Sequence, residues 1–541
     1  MSVWIAEEEL RKPSLQFWPK PLRKAHHVLW RTPVKSFFSL QIIIFLYSAA
    51  HYFFLRAIPD LICFKPRCLF LIPAMWNPSS FHIRHLKHLF SVLTLFALIG
   101  SFSLIRGGIF VEDQSTFNPM ERYGILWSCL LYIMQMTIFI PIPFMILNFL
   151  GVVLLNVFIP RPKLQRSPLL GPFLCFRVVT RGLYPNLVRE NVQHNLQICE
   201  SVGLHNFIFE VVTDSPIQLQ HTRRSREVVV PDHYRTRSGA LFKARALQYA
   251  LEPDVDILSS GDYIVHLDEE TLLTEESVIG IINFAGAGEY SFGQGVIKYG
   301  KGTVVNWITT LADSVRVGID YGCIRFSLGV LHKPVFSWKG SFIVADAEAE
   351  KNITFDHGPE ASIAEDCFFA CVAFSKGYNF GFVEGEMLES STFTLFDFIQ
   401  QRKRWMHGIF LTASSKKIPL RYKAGPILMS FAGMTMPANV LMLPVNMVWP
   451  MPSNPALNIA YCFLLGTFVY LFILGTLQTF CYRKYGLIRC FGLVLATVLC
   501  GLVACVLENI SSVLVFWTPR VSSTGFYVVK KETQTRDIKI V

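Results

Sequence analysis

The sequence predicts an α/β domain inserted between two groups of membrane-spanning α-helices. Apolar runs long enough to cross a bilayer flank a central stretch on both sides, that stretch alternates β-rich with helical segments, and charge is partitioned between the two kinds of region. Of 541 residues, 52% are apolar and 16% charged, with a mean hydropathy of +0.39, where a soluble domain carries about a quarter charged residues. A wholly soluble, collagen-like, disordered or disulfide-scaffold protein is excluded.

In chain order, residues 1–81 read as an N-terminal extension with one apolar segment at 38–55, to which 61–76, interrupted by Lys65 and Arg67, could add a hairpin. The runs at 89–105 and 124–158 make an N-terminal membrane region within 82–160. The second is longer than one span of ~30 Å needs and too short for two with a turn, so Pro141 and Pro143 predict a kinked helix. Residues 161–424 form the aqueous domain, and runs at 425–449, 456–479 and 487–517 a second membrane region to 518, followed by a tail over 519–541. The 487–517 run is too long for one span and too short for two, and Glu508 lies inside it. The basic tail with Lys530 and Lys531 predicts that the chain folds back to the cytosolic side.

Charge sets the orientation. From Arg161 to Lys423 there are 28 Lys and Arg against 29 Asp and Glu, while the rest of the chain holds 22 against 10. The positive excess therefore flanks the apolar segments, which points to the cytosolic side of a membrane and argues against nucleic acid as a partner. Arg161, Lys163 and Arg166 enter the central domain and Lys416, Lys417, Arg421 and Lys423 leave it, so it should face the cytosol. The more acidic 106–123 loop should be lumenal. Thirteen cysteines, an odd number scattered through membrane and aqueous regions alike, make no disulfide framework. Cys367 and Cys371, one helical turn apart, read as buried helix residues.

Within 161–424, CFRVVT, FIFEVVTD, REVVV and YIVHLDEE read as strands, with helices near Leu187 to Glu200 and Leu241 to Ala250. Strands joined by crossover helices form a mostly parallel sheet, and ligands bind at its carboxyl strand ends. FIFEVVTDSP delivers Asp214 to such an end, where an acid can contact a nucleotide or simply cap a turn. YIVHLDEETLL delivers Asp268, Glu269 and Glu270. Alternate residues of an extended strand share a face, so Asp268 and Glu270 can converge on one magnesium or manganese ion that neutralises a departing diphosphate.

ASIAEDCFFACVAF puts Glu365 and Asp366 at the start of an apolar helix, where one could be a general base or both could merely suit the helix dipole. FDFIQQRKRWMHGIF combines Gln401, Arg402, Lys403, Arg404 and Trp405 just before the chain returns to the membrane. Arg404 could bind a diphosphate, and Trp405 could stack on a sugar or anchor at the bilayer interface. Lys243 is a possible phosphate partner or a solvated helix lysine. Trp338 and Gly340 in FSWKGSF would suit a sugar acceptor or the core. The arginines of HTRRSRE read as a surface patch, and GAGEYSFGQG, with neither glycine-rich phosphate pattern, is given no phosphate role.

The series Asp214, Asp268-x-Glu270, Glu365-Asp366 and Gln401-x-x-Arg404-Trp405 resembles the D, DxD, ED, QxxRW motifs of membrane-bound family-two glycosyltransferases. VVTRG, RTRSGALFKARALQYALE, VHLDEETLLTE, VNWITTLADS, VEGEM and QQRKRWMHGI look like the Egghead-type β-1,4-mannosyltransferases of invertebrate glycosphingolipid synthesis, a likeness running from about residue 82 onward. The resemblance implies a glycosyltransferase-A, Rossmann-like catalytic domain. It also implies GDP-mannose as donor, glucosylceramide as acceptor, an inverted β-1,4 linkage, a divalent cation (Mg²⁺ or Mn²⁺) and residence in the endoplasmic reticulum or Golgi. By the same resemblance Asp214, Lys243, Asp268 and Arg404 would bind the donor, and Asp268 and Glu270 the metal. Asp366 would be the base beside Glu365, and Gln401, Trp405, Trp338 and Gly340 would line the acceptor side. Two departures stand out: Glu270 where the family has a second Asp, and Arg245 where it often has a small residue. Another family-two lipid or polysaccharide synthase, or a membrane transporter or receptor that only binds nucleotide, remains an alternative. The oligomeric state is open.

Overall fold

A seven-stranded sheet organises the central region. The computed structural model describes residues 80–105, 118–300, 304–336, 338–452, 454–480, 485–518 and 527–531. The apolar segments expected at 38–55 and 61–76, and most of the loop expected to be lumenal, lie outside the described residues.

The elements follow the hydropathy of the chain. Helix α1 (Ser80–Ile105) is followed by a short α2 (Pro119–Tyr123), then α3 (Ile125–Met136), a 3-10 turn over Thr137–Phe139, and α4 (Ile142–Leu154). The break between α3 and α4 coincides with Pro141 and Pro143, whose fixed φ suits a helix start and denies the preceding turn a donor. The sheet domain then runs β1 (Leu174–Thr180), α5 (Pro185–Ser201), β2 (Phe207–Thr213), β3 (Ser225–Val229), α6 (Phe242–Tyr249), β4 (Tyr263–Asp268), α7 (Glu275–Ala287), β5 (Phe292–Tyr299), α8 (Trp307–Ile319), α9 (Arg325–Gly329), β6 (Ile343–Asp346), α10 (Ala347–Ile353), α11 (Glu365–Ser375), β7 (Phe380–Glu389) and α12 (Leu395–Ser414). Helices α13 (Ala424–Val448), α14 (Pro455–Thr479) and α15 (Leu487–Val515) complete it.

Strands β3, β2, β1 and β4 pair in parallel, β6 runs antiparallel between β4 and β5, and β7 is parallel to β5. β1 and β2 are buried along nearly their whole length, as strands covered by helices on both faces must be. Arg177 is buried in mid-sheet and donates to Glu210 (2.6 Å) and Glu350 (3.2 Å), while Glu350 meets His266 at 2.5 Å. Arg226 closes this network on Glu210 and the Val255 carbonyl, so HTRRSRE is only partly the surface patch its sequence suggests.

Among the described residues, five helical stretches have the length and apolarity to cross a membrane: α1, α3 with α4, α13, α14 and α15. The 487–517 run proves to be one helix of 29 residues, about 44 Å at 1.5 Å per residue. One face of its last turns packs on α12. Ser511 donates to the Ile399 carbonyl of α12 (3.1 Å), and Glu508 pairs with Arg402 at 3.4 Å. The intramembrane-looking Glu508 is thereby explained.

Helix α8, inside the sheet domain, meets α14 through glycines. A methyl on Gly475 would sit 1.8 Å from the Ser314 carbonyl oxygen, and one on Gly318 would sit 2.3 Å from that of Leu471. This close approach couples the sheet to the apolar helices, since a side chain at either point would force the backbones apart. We expect Gly475→Val to destabilise the detergent-solubilised protein by ~1–3 kcal/mol or more in thermal unfolding. Gly492→Val, on a glycine with open space around it, should leave the melt unchanged.

Candidate active site

The carboxyl end of β4 is where the distant motifs meet. Asp268 ends the strand and Glu269 and Glu270 follow, while Asn195 and Asn191 of α5 fix the descending loop by bonds to the Thr271 and Glu269 carbonyls (3.0 and 2.8 Å). Lys243, on the first turn of α6, donates to Asp268 Oδ1 (2.6 Å) and the Gly340 carbonyl (3.0 Å) and lies 3.7 Å from Glu365 Oε1. Lys243 is therefore a member of the site, not a solvated helix lysine. Burial opposes its charge, but Asp268 and then Glu365 outweigh it and raise its pKa. Conversely, burial would raise Asp268, yet Lys243, Lys531 and Arg404 together hold it below the usual carboxylate range.

Glu365 and Asp366 open α11, and Asp366 Oδ1 accepts from the Cys367 N–H at 2.7 Å. Burial first, then Glu365, pushes Asp366 up to about 7, against the pull of that N–H and of Lys243. A carboxyl poised there can exchange a proton near neutral pH. Gly340 makes the meeting possible: a methyl at that position would lie 3.2 Å from both Asp366 Oδ2 and Lys243 Nζ. A cavity lined by Lys243, Trp338, Gly340, Glu365 and Asp366 adjoins them. Trp338 is buried edge-on against Phe380, and its indole N–H has no acceptor among the described residues.

The other predicted residues sit around this centre. Asp214 follows β2 and is paired with Arg245 at 2.6 Å, which gives the unusual Arg245 a partner. The charge of Arg404 reaches Asp268. Gln401 accepts from Arg402 (2.9 Å), and the Trp405 ring has the guanidinium groups of Arg316 and Arg402 at 4.3 Å from its centroid. Arg402 is bound to buried Asp313, so Gln401 and Trp405 belong to a network joining α8, α12 and α15. Lys423, read as a membrane-flanking charge, is buried against the Ser415 carbonyl.

Glu389, at the end of β7, is a candidate that the sequence reading does not single out. It accepts from Thr271 (2.8 Å), and burial, then Asp268 and Glu270, push it up to about 7. The signal was present, because VEGEMLES ends a strand in an acid just as FEVVTD and VHLD do. Lys531 was noticed only as tail charge; it lies against Glu270 and 3.9 Å from Glu269.

Asp268, Glu270 and Glu389 supply hard oxygens of the kind magnesium and manganese take. Glu270 Oε2 already holds one positive charge, the Lys531 ammonium, which marks it as an oxygen placed to bind a cation. Among the described residues no three His, Cys, Asp or Glu side chains form a complete cage. This fits an ion bound by one or two carboxylates with the remaining positions left to phosphate oxygens and water.

Residues 263–474 match the model described as Glycosyl transferase family group 2. Over 450 residues, 83% of this chain and 98% of the relative, the sequence is 45% identical to the β-1,4-mannosyltransferase egh of Drosophila melanogaster. The chain belongs to the egh/bre-3 family of β-1,4-mannosyltransferases. The bre-3 protein of Caenorhabditis elegans is 44% identical over 452 residues, 83% of this chain and 99% of that one. Among solved structures, it is similar to the mannosyltransferase PcManGT of Pyrobaculum calidifontis in complex with GDP-Man and Mn²⁺, at 13% identity and a TM-score of 0.34, over 69% of this chain and 99% of that chain. The sheet domain of this family member has the glycosyltransferase-A fold.

Gly340→Ala tests the convergence. Its methyl would crowd Asp366 and Lys243, so kcat/KM should fall at least about tenfold while the thermal midpoint stays within error of the wild type.

Proposed function

We propose that the protein transfers mannose from GDP-mannose to the 4-hydroxyl of glucosylceramide, with inversion at the anomeric carbon, in glycosphingolipid synthesis at the endoplasmic reticulum or Golgi. The observation that carries this reading is Asp366, a half-buried carboxyl held at about 7 beside Lys243 and the Asp268 cluster. In a single displacement, Asp366 takes the proton of the acceptor hydroxyl as its oxygen bonds to the anomeric carbon. The bond from that carbon to the diphosphate oxygen breaks with its electron pair, and GDP leaves. Glu365 keeps Asp366 basic by like-charge repulsion. Lys243 and Arg404 meet the charge that develops on the diphosphate, and Asp214, held by Arg245, contacts the nucleoside.

Asp268 and Glu270, with Glu389, would hold the divalent cation, which when bound supplies Lewis-acid neutralisation of the diphosphate. Trp338, whose indole N–H has no acceptor among the described residues, and Gly340 line the sugar-acceptor side, and Gln401 and Trp405 hold the acceptor-side helix α12. The domain at 161–424 faces the cytosol, where nucleotide sugars are made, with its membrane regions at 82–160 and 425–518. That orientation rests on the basic flanks at Arg161, Lys163, Arg166, Lys416, Lys417 and Arg421. The acceptor lipid, embedded in the same bilayer, meets the site where α12 adjoins α13 and α15.

Purified protein, labelled GDP-mannose and glucosylceramide with divalent cation should yield labelled dihexosylceramide, lost on chelation. Failure to form it defeats the substrate assignment. Asp366→Asn should lower kcat by about 10²–10⁴-fold with GDP still bound in calorimetry. Since the carboxyl must be ionised to accept a proton, kcat/KM should rise with pH through about 7 and then level off. A profile flat from pH 5 to 8 would exclude Asp366 as the base.

A further inference from the structure

The segment Tyr527–Lys531 lies against the site and is anchored independently of Lys531. The Tyr527 hydroxyl donates to Asp397 Oδ1 at 2.7 Å, the Lys530 N–H reaches the same oxygen at 3.4 Å, Phe396 meets the Tyr527 ring edge-on at 5.9 Å, and Val529 is buried. Asp397 and Phe396 belong to the first turn of α12, the helix that also carries Arg404. Beyond these anchors the chain delivers Lys531 into the acidic cluster, against Glu270 and 3.9 Å from Glu269, with its charge reaching Asp268.

A staple for the tail would not need this last contact. Burying an ammonium costs free energy that is recovered only where negative charge is concentrated. Here Asp268, Glu269, Glu270 and Glu389 crowd together, and Lys243 is bonded to only one of them. We propose that Lys531 is a donor-binding residue, an ammonium carried in by the C-terminal segment that binds the diphosphate of the nucleotide sugar alongside Lys243 and Arg404. The proposal rests on the donor reading given above. Before donor arrives, Glu270 and Glu269 hold the ammonium. When diphosphate occupies the carboxyl end of β4, the ammonium, a compact charge with three donors on a flexible stem, turns to its oxygens. The same placement closes one side of the cleft, so Tyr527–Lys531 is a wall of the donor site.

The test is calorimetric titration of GDP in the presence of MnCl₂ into the full-length, detergent-solubilised protein. Lys531→Ala should raise the Kd about tenfold or more, as loss of a charge-assisted phosphate contact does, and Lys531→Arg should restore most of the affinity. Tyr527→Phe, which removes one anchoring hydroxyl, should give a smaller loss in the same direction. An unchanged or tighter Kd in Lys531→Ala, with wild-type binding intact, overturns this inference and leaves the donor reading standing. No GDP binding by the wild type overturns both.

Discussion

Gathering carboxylates in a half-buried cleft is the constraint on which the rest of the structure depends. Asp268, Glu269 and Glu270 from β4, Glu389 from β7 and the Glu365-Asp366 pair from α11 repel one another, and burial magnifies the repulsion. The fold answers with Lys243, Lys531 and Arg404, each from a different element. The result is unequal: Asp268 is held ionised, while Asp366 and Glu389 are raised towards neutrality. A set of acids in one cleft with such different proton affinities can divide the work of binding a cation and moving a proton.

The sheet topology explains why these acids meet. Parallel β1, β2 and β4 aim their carboxyl ends at one edge, so the chain leaves Asp214 and Asp268 on the same edge with β1 between their strands. β7, parallel to β5 at the far side, brings Glu389 back towards β4 through the bridge between Leu388 and Leu272. Helices α8 and α12 then bind this edge to the apolar helices. Glycine contacts join α8 to α14, and Asp313, Arg402 and Glu508 join α8, α12 and α15. A transferase for a lipid acceptor needs such rigidity, because its two substrates arrive from different phases.

Much of this was legible in the sequence. Strands that are uniformly apolar and end in an acid announced β2 and β4, and the prolines at 141 and 143 announced the break between α3 and α4. What escaped reading depended on pairing across long separations. Arg245 looked anomalous until its partner Asp214 was beside it, Glu508 looked misplaced until Arg402 met it, and Arg226 looked superficial although it closes a buried network on Glu210. The 487–517 run stayed open in the sequence because length alone does not distinguish lipid from the flank of α12 as the covering surface. Lys531 is the extreme case, since no local pattern marks a tail residue as part of a cleft that begins more than 250 residues earlier.

The most direct measurement is electron cryo-microscopy of the full-length protein with GDP and Mn²⁺. The diphosphate should lie at the carboxyl end of β4, between Asp268 and Glu270 on one side and Lys243 and Arg404 on the other, with Asp366 facing the position of the sugar. Nucleotide bound elsewhere on the sheet, with Asp268, Asp366 and Arg404 left around an empty cleft, would contradict the account.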